Sequence, residues 1–348
     1  MRCAMAVLLV LALAYVAPAT ARTVTDSAGR SVDIPASVTR VYAAGPPASI
    51  LLYVLAPERL TGWPRPPRAE ERPYIAAPYR DLPETGRLTG RGDTANLEVV
   101  LRDRPDLIVD FGSVRDTYVS LADRVQAQTG IPYLLIDGRF EATPAALRLM
   151  GEVLGVEPRA EALARYVESL FAELEAGLAE IAVDDRPRVY FARGPDGLET
   201  GLKGSINTEI IELAGGRNVA DPGDAAIRRG ITDVSIEQVI VANPDTIITW
   251  DRNFYQSVWS DPLWSQIPAL TEGRVWLSPT APFGWIDRPP SLNRVIGLKW
   301  LSGVFFPERF DFDIAAETRH FYKLFYHVDL NDEDLDRLLH WSRGRPAN

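Results

Sequence analysis

Arg115, Arg193 and Arg288 are the side chains of this chain best suited to hold negative oxygen. A guanidinium offers a planar fork of N–H donors that fits a carboxylate, a hydroxamate oxygen or an oxyanion with two parallel bonds. Tyr42, Phe111, Trp250, Tyr255, Phe283 and Trp285 offer flat apolar surface for a bulky ligand. Lys203 and Thr200 add polar reach. The chemistry is recognition: anionic oxygens on an apolar body. The same residue types also serve as core aromatics and structural ion pairs. Trp285 and Arg288 stand out because the segment Pro282-Phe283-Gly284-Trp285-Ile286-Asp287-Arg288-Pro289-Pro290 is stiffened by prolines, and a stiff loop loses little entropy on binding. Asp287 is a natural partner for Arg288 or Arg294. Arg193 and Arg288 are the expected contacts for a ligand's negative oxygens.

Catalytic patterns are missing. There is no Gly-x-Ser-x-Gly elbow, no phosphate loop and no His-Glu-x-x-His. No catalytic residue and no cofactor is assigned. A bare zinc or manganese site needs nitrogen and carboxylate ligands that converge. His320, His327 and His340 all lie near the C-terminal end, beside Phe321, Phe325 and Tyr326, where packing is the simpler role. No metal site is assigned either.

These side chains need a scaffold. The chain has 348 residues, 46% of them hydrophobic, which favours more than one lobe. Arg2, the apolar run after it and Ala19-Thr20-Ala21 read as a cleavable signal peptide over 1–21, hence export to the periplasm. Cys3, the only cysteine, lies inside that signal, so the exported chain has no disulfide and no thiolate. A net charge of −10 argues against nucleic acid as a partner but leaves room for a local arginine cluster.

The chain repeats itself. Leu97-Glu98-Val99-Val100-Leu101 leads to Pro105-Asp106-Leu107-Ile108-Val109, and Ile236-Glu237-Gln238-Val239-Ile240 leads at identical spacing to Pro244-Asp245-Thr246-Ile247-Ile248. Each reads as a helix, a Pro-Asp turn and a buried strand. Arg40-Val41-Tyr42 pairs with Arg188-Val189-Tyr190, and Gly130-Ile131-Pro132-Tyr133-Leu134 with Gly273-Arg274-Val275-Trp276-Leu277. Between the halves, Leu163, Tyr166, Val167, Leu170, Phe171, Leu174 and Leu178 form one helical stripe. The expected fold is α/β: two Rossmann-like lobes, 22–158 and 184–348, joined by a single long α-helix over 159–183. In open α/β sheets ligands sit beyond the carboxyl ends of the strands. That selects 43–49, 111–115 and 138–140 in the first lobe, and 192–205, 250–255 and 279–288 in the second.

These residues resemble the helical-backbone (class III) periplasmic binding proteins of ABC importers. The resemblance rests on Val24-Thr25-Asp26-Ser27-Ala28-Gly29-Arg30 through Ile34-Pro35, on Leu97-Glu98 with Pro105-Asp106-Leu107, and on Ala214-Gly215-Gly216-Arg217-Asn218-Val219. It covers essentially the whole exported chain. It implies a monomer that delivers a small-molecule metal chelate or an oxyanion to an ABC permease with its ATPase. A ferric siderophore-like iron chelate ranks first, then molybdate or tungstate, then cobalamin or haem. It also implies a docking glutamate for the permease on each lobe. Glu209 fills that place in the second lobe, whereas the first has Ser49, with Glu58 as the nearby acidic alternative. A ligand sensor and a cleft enzyme are the readings from other classes.

Overall fold

A computed structural model describes residues 21–90, 97–221 and 230–342. All but the last residue of the expected signal peptide lies outside them. The first lobe opens with an antiparallel hairpin, β1 (Arg22–Thr25) and β2 (Ser31–Ile34). Its sheet is parallel, with β3 (Val41–Ala43) and β5 (Tyr133–Asp137) flanking β4 (Leu107–Gly112). The helices are α1 (Pro46–Leu55), α2 (Leu97–Asp103), α3 (Asp116–Thr129) and α4 (Thr143–Leu154). The linker is α5 (Glu157–Leu178), 22 residues long. It starts two residues before the expected boundary because Pro158 is accepted in the first turn, where no N–H is needed. At 1.5 Å per residue it spans about 33 Å.

The second lobe has a parallel sheet in the order β11 (Val275–Leu277), β10 (Thr246–Thr249), β6 (Arg188–Ala192), β8 (Arg217–Asn218). A side hairpin pairs β7 (Glu199–Gly201) with β9 (Ile231–Asp233). Its helices are α6 (Glu209–Leu213), α7 (Ile236–Ala242), α8 (Arg252–Ser257), α9 (Pro268–Thr271) and α10 (Arg294–Phe305). Two more follow, α11 (Ile314–Tyr326) and α12 (Asp332–Leu339).

The duplication extends to single hydrogen bonds. Asp106 Oδ2 accepts from Arg40 N–H at 2.9 Å, and Asp245 Oδ2 accepts from Arg188 N–H at 2.8 Å. Arg40 Nη2 donates to the Asp103 carbonyl, and Arg188 Nη2 to the Ala242 carbonyl. Strand register agrees too: Val41 faces Leu107 as Val189 faces Thr246. The third sequence pair keeps its elements but not its register. Tyr133 faces Ile108, whereas Val275 faces Ile247, so the first lobe has one extra residue between Gly130 and its strand. Both glycines adopt positive φ, +71° in each case, as helix-terminating turns demand.

Side chains alternate across each sheet. The inner faces, with Val41, Val109 and Ile136 in one lobe and Val189, Phe191 and Ile248 in the other, belong to one continuous core. The outer faces form separate clusters around Tyr42 and Tyr133 and around Tyr190 and Val275. The lobes therefore share a core. The expected boundary put all of 184–348 in the second lobe, but α11 and α12 return to the first. Tyr53 of α1 lies 6.2 Å from Tyr326, Tyr74 lies 5.9 Å from Tyr322, and Tyr74 Oη donates to the Asp334 carbonyl. The aromatic stripe of α11 finds its apolar surface there.

Candidate functional site

A cavity of about 250 Å³ lies between the start of α1, the long connection after it and the loop before α10. Pro46, Ser49 and Ile50 form its floor on α1. Trp63, Ile75 and Phe283 supply apolar wall, with Pro64, Pro67 and Pro289. Arg65, Arg87 and Arg288 bring positive charge, and Glu71 and Glu84 bring negative charge.

The connection between α1 and α2 is held by its own backbone. Trp63 N–H donates to the Pro83 carbonyl, and Thr85 N–H returns a bond to the Trp63 carbonyl, both at 2.9 Å. Glycine is required at 62, because a Cβ there would lie 2.3 Å from the Pro83 oxygen. Trp63 Nε1 donates to the Tyr79 carbonyl at 2.7 Å, which fixes the indole. Its ring then lies 6.0 Å from Phe283 across the cleft, and Phe283 lies 5.5 Å from Tyr326. Arg65 and Glu71 form a two-bonded ion pair at 2.8 and 2.6 Å.

The opposite wall carries a charge relay. Arg288 is exposed, with its guanidinium carbon 3.9 Å from the Trp250 ring centre, a close cation–π contact. Asp287 beside it is buried and lies 3.3 Å from Arg193 Nη2, while Arg193 Nη1 lies 3.5 Å from Glu199. Burial pushes the Asp287 carboxyl up to about 6, against the opposing pull of Arg193 and Arg288. Arg193 thus neutralises Asp287, and Arg288 keeps its fork for the cleft.

Of the expected ligand contacts, the structure brings Arg288 to the cavity, with Trp250 beneath it. Arg193 stands behind them as Asp287's partner rather than on the cavity wall. Trp285 is fully buried, 6.4 Å from Trp300, with Nε1 donating to Tyr322 Oη, so it is a core residue. Tyr42 is also fully buried, on the outer face of the first sheet, and donates to the Thr85 carbonyl at 2.7 Å. Tyr255 belongs to the outer cluster of the second lobe. Arg115 is exposed at the start of α3, donating to Ser113 Oγ. Strand alternation turns Tyr42 away from the cleft, and strand-end location alone did not reveal it.

Glu209 departs furthest from its expected outward role. Its Oε1 accepts from the Phe140 N–H at 2.8 Å and from Arg294 Nη1 at 2.6 Å. Arg294 is wholly buried, so docking Glu209 to another protein would strand that charge. Ser49 is buried at the cavity floor, so it is no outward docking position either. The residues missed by sequence reasoning lie in 61–89, outside any strand end: Trp63, Arg65, Glu71, Glu84 and Arg87. The run Trp63-Pro64-Arg65-Pro66-Pro67-Arg68 was their signal, a proline-stiffened segment that joins aromatic and guanidinium side chains as 282–290 does.

Residues 62–281 match the family described as "Periplasmic binding protein". The chain is 29% identical over 195 residues to the molybdate-binding protein MolA of Haemophilus influenzae, covering 55% of this chain and 53% of that protein. It is also 29% identical over 185 residues to the vitamin B12-binding protein of Salmonella typhi, covering 52% and 65%. The matched region thus spans between about half and two thirds of these relatives. A solved ABC transporter solute-binding protein from Sulfurospirillum deleyianum superposes with a TM-score of 0.83 at 30% identity, covering 92% of this chain and 99% of that one. These relatives are binding components of transport systems, not enzymes. Two duplicated lobes on one long helix and these likenesses have a common explanation: the chain belongs to the periplasmic binding protein family, with the class III fold of ABC-importer solute-binding proteins.

Proposed function

We propose that the chain captures an anionic metal chelate of the ferric siderophore type, as a monomer, and delivers it to an ABC permease. One observation carries this reading: the adjoining Trp63 and Phe283 rings form a continuous apolar wall beside the guanidiniums of Arg65 and Arg288. An organic chelate has both an apolar body and negative oxygens, and so uses both features.

A small oxyanion such as molybdate is the second reading. The compact cavity favours it, since drug-sized ligands fill roughly 300–1,000 Å³. The name of the Haemophilus relative points the same way. Pro46 and Pro47 argue against it, because they remove two N–H donors from the start of α1, where an oxyanion gains most from backbone amides. Cobalamin, the bulkiest of these ligands, and haem rank below both.

Native mass spectrometry of the protein purified from its own periplasm tests the choice. A retained mass of several hundred daltons, released under denaturing conditions, supports the chelate. Tryptophan quenching by molybdate with no response to a ferric trihydroxamate chelate overturns it in favour of the oxyanion.

A further inference from the structure

Glu71 is an unusual residue to find in a cleft that recruits anions. Its side chain is only 10% exposed, whereas that of Arg65 is 52% exposed. The carboxylate takes both terminal nitrogens of Arg65, at 2.8 and 2.6 Å, and also the Arg68 N–H at 2.8 Å. Arg65 and Glu71 both line the cavity. The pair also holds the Arg65 guanidinium more firmly charged, with the Glu71 hydrogen bonds as the leading cause. Within this cleft, the fork of Arg65 already has a carboxylate partner.

We infer that Glu71 is a built-in competitor for Arg65 and acts as a selectivity gate against simple inorganic anions. This rests on the reading that the cleft holds an anionic ligand. Any anion that takes Arg65 must displace a two-bonded carboxylate and leave that carboxylate largely buried. Sulfate or phosphate has only charge to offset that cost. A ligand with an apolar body also gains the Trp63 and Phe283 surfaces, and tolerates the cost. Selectivity here is a difference of affinities, obtained by a repulsive group placed against the wrong ligands. Glu84, also on the cavity wall, adds to the same repulsion.

Glu71→Gln tests this with sulfate as the probe. Glutamine keeps an oxygen to accept from the Arg68 N–H, so the turn is retained, and an unchanged melting temperature verifies it. Calorimetry is expected to show sulfate binding about fivefold tighter to E71Q than to the wild type. The double variant E71Q/R65Q is expected to lose that gain. Phenylglyoxal labelling, read by peptide mass mapping, is expected to modify Arg65 faster in E71Q. Equal sulfate affinities, a gain that survives in the double variant, or equal labelling rates overturn the gate. A turn that loosens in E71Q, with a lowered melting temperature and no gain in sulfate affinity, also overturns it and assigns Glu71 a purely structural role. A wild type that ignores the ferric trihydroxamate chelate strikes the proposed function instead, and the sulfate arm still decides the gate.

Discussion

Arg294 and Glu209 fasten the two lobes together at the base of the cleft. Arg294 Nη1 donates to Glu209 and to the Ile206 carbonyl of the second lobe, while Nη2 donates to the Gly138 carbonyl of the first. Glu209 accepts from the Phe140 N–H, again in the first lobe. The guanidinium also lies 4.9 Å from the Phe140 ring. Opening the lobes at this point would break bonds of a fully buried charge, and the shared core opposes it as well.

Glu209→Ala is therefore expected to act on stability first. Removing one partner of a buried ion pair costs about 3 kcal/mol, because the other charge stays behind unpaired. Urea unfolding measures it. A loss below about 0.5 kcal/mol, within the range of ordinary surface substitutions, would return Glu209 to the surface role expected from the sequence.

Arg288 and Arg193 should separate in their effects. Arg288→Ala removes an exposed fork and is expected to weaken binding of the proposed anionic ligand about tenfold, with the melting temperature nearly unchanged. Arg193→Ala leaves Asp287 buried with less compensation and is expected to lower stability by about 2 kcal/mol. Tryptophan-quenching titrations beside thermal unfolding distinguish the two. Equal binding losses with no stability difference would make Arg193 a direct ligand contact.

Acidification should tighten binding. Asp287 titrates near 6 in the folded chain, whereas an aspartate in an unfolded chain titrates near about 3.9. Between those values the folded form holds a proton that the unfolded form has released, so this group adds stability as pH falls through 6, levelling off below about 4. The same proton removes a negative charge from behind Arg288. Affinity for the anion is then expected to rise about threefold from pH 7.5 to 5. Arg193, Arg288, Trp250 and Glu199 surround this carboxyl. Asp110 and Glu212, raised to about 6 and about 7 by burial, give stability the same trend but lie away from the cavity. The variant Asp287→Asn should flatten the binding profile, and an unaltered profile would refute the assignment.

The two Pro-Asp turns should be unequal. Asp106 Oδ2 accepts from Thr39 N–H, Thr39 Oγ1 and Arg40 N–H. Although its partial burial alone would raise the Asp106 carboxyl, these bonds bring it below the ordinary aspartate range. Among the described residues, the Asp245 side chain accepts from the Arg188 N–H alone in the matching place. Asp106→Ala is expected to cost about 2 kcal/mol and Asp245→Ala about 1 kcal/mol. Urea midpoints of the two variants give the order directly, and a larger loss at Asp245 would contradict it.

The lobes, the linker helix and the repeat could be read from the chain because they depend on local rules. A Pro-Asp turn between an apolar helix and an apolar strand forms the same unit wherever it occurs, and two copies at one spacing produce two lobes. Leu163, Val167, Leu170 and Leu174 identify a helix with one buried face whatever that face meets. The place of Arg288 on the cavity wall was legible for a similar reason, since the prolines around it restrict the loop before any tertiary contact forms. Which aromatics face the ligand was not local information. Trp285 and Phe283 are two residues apart on one stiff loop, yet one is locked into the core by Tyr322 and the other meets Trp63 across the cleft. Likewise, Glu209 looks like a solvated helix residue until Arg294, far along the chain, is buried against it. Sequence periodicity determines which faces of the elements are apolar. Only the packing of α10 and α11 back across both lobes decides which charges are paired inside and which guanidiniums remain for a ligand.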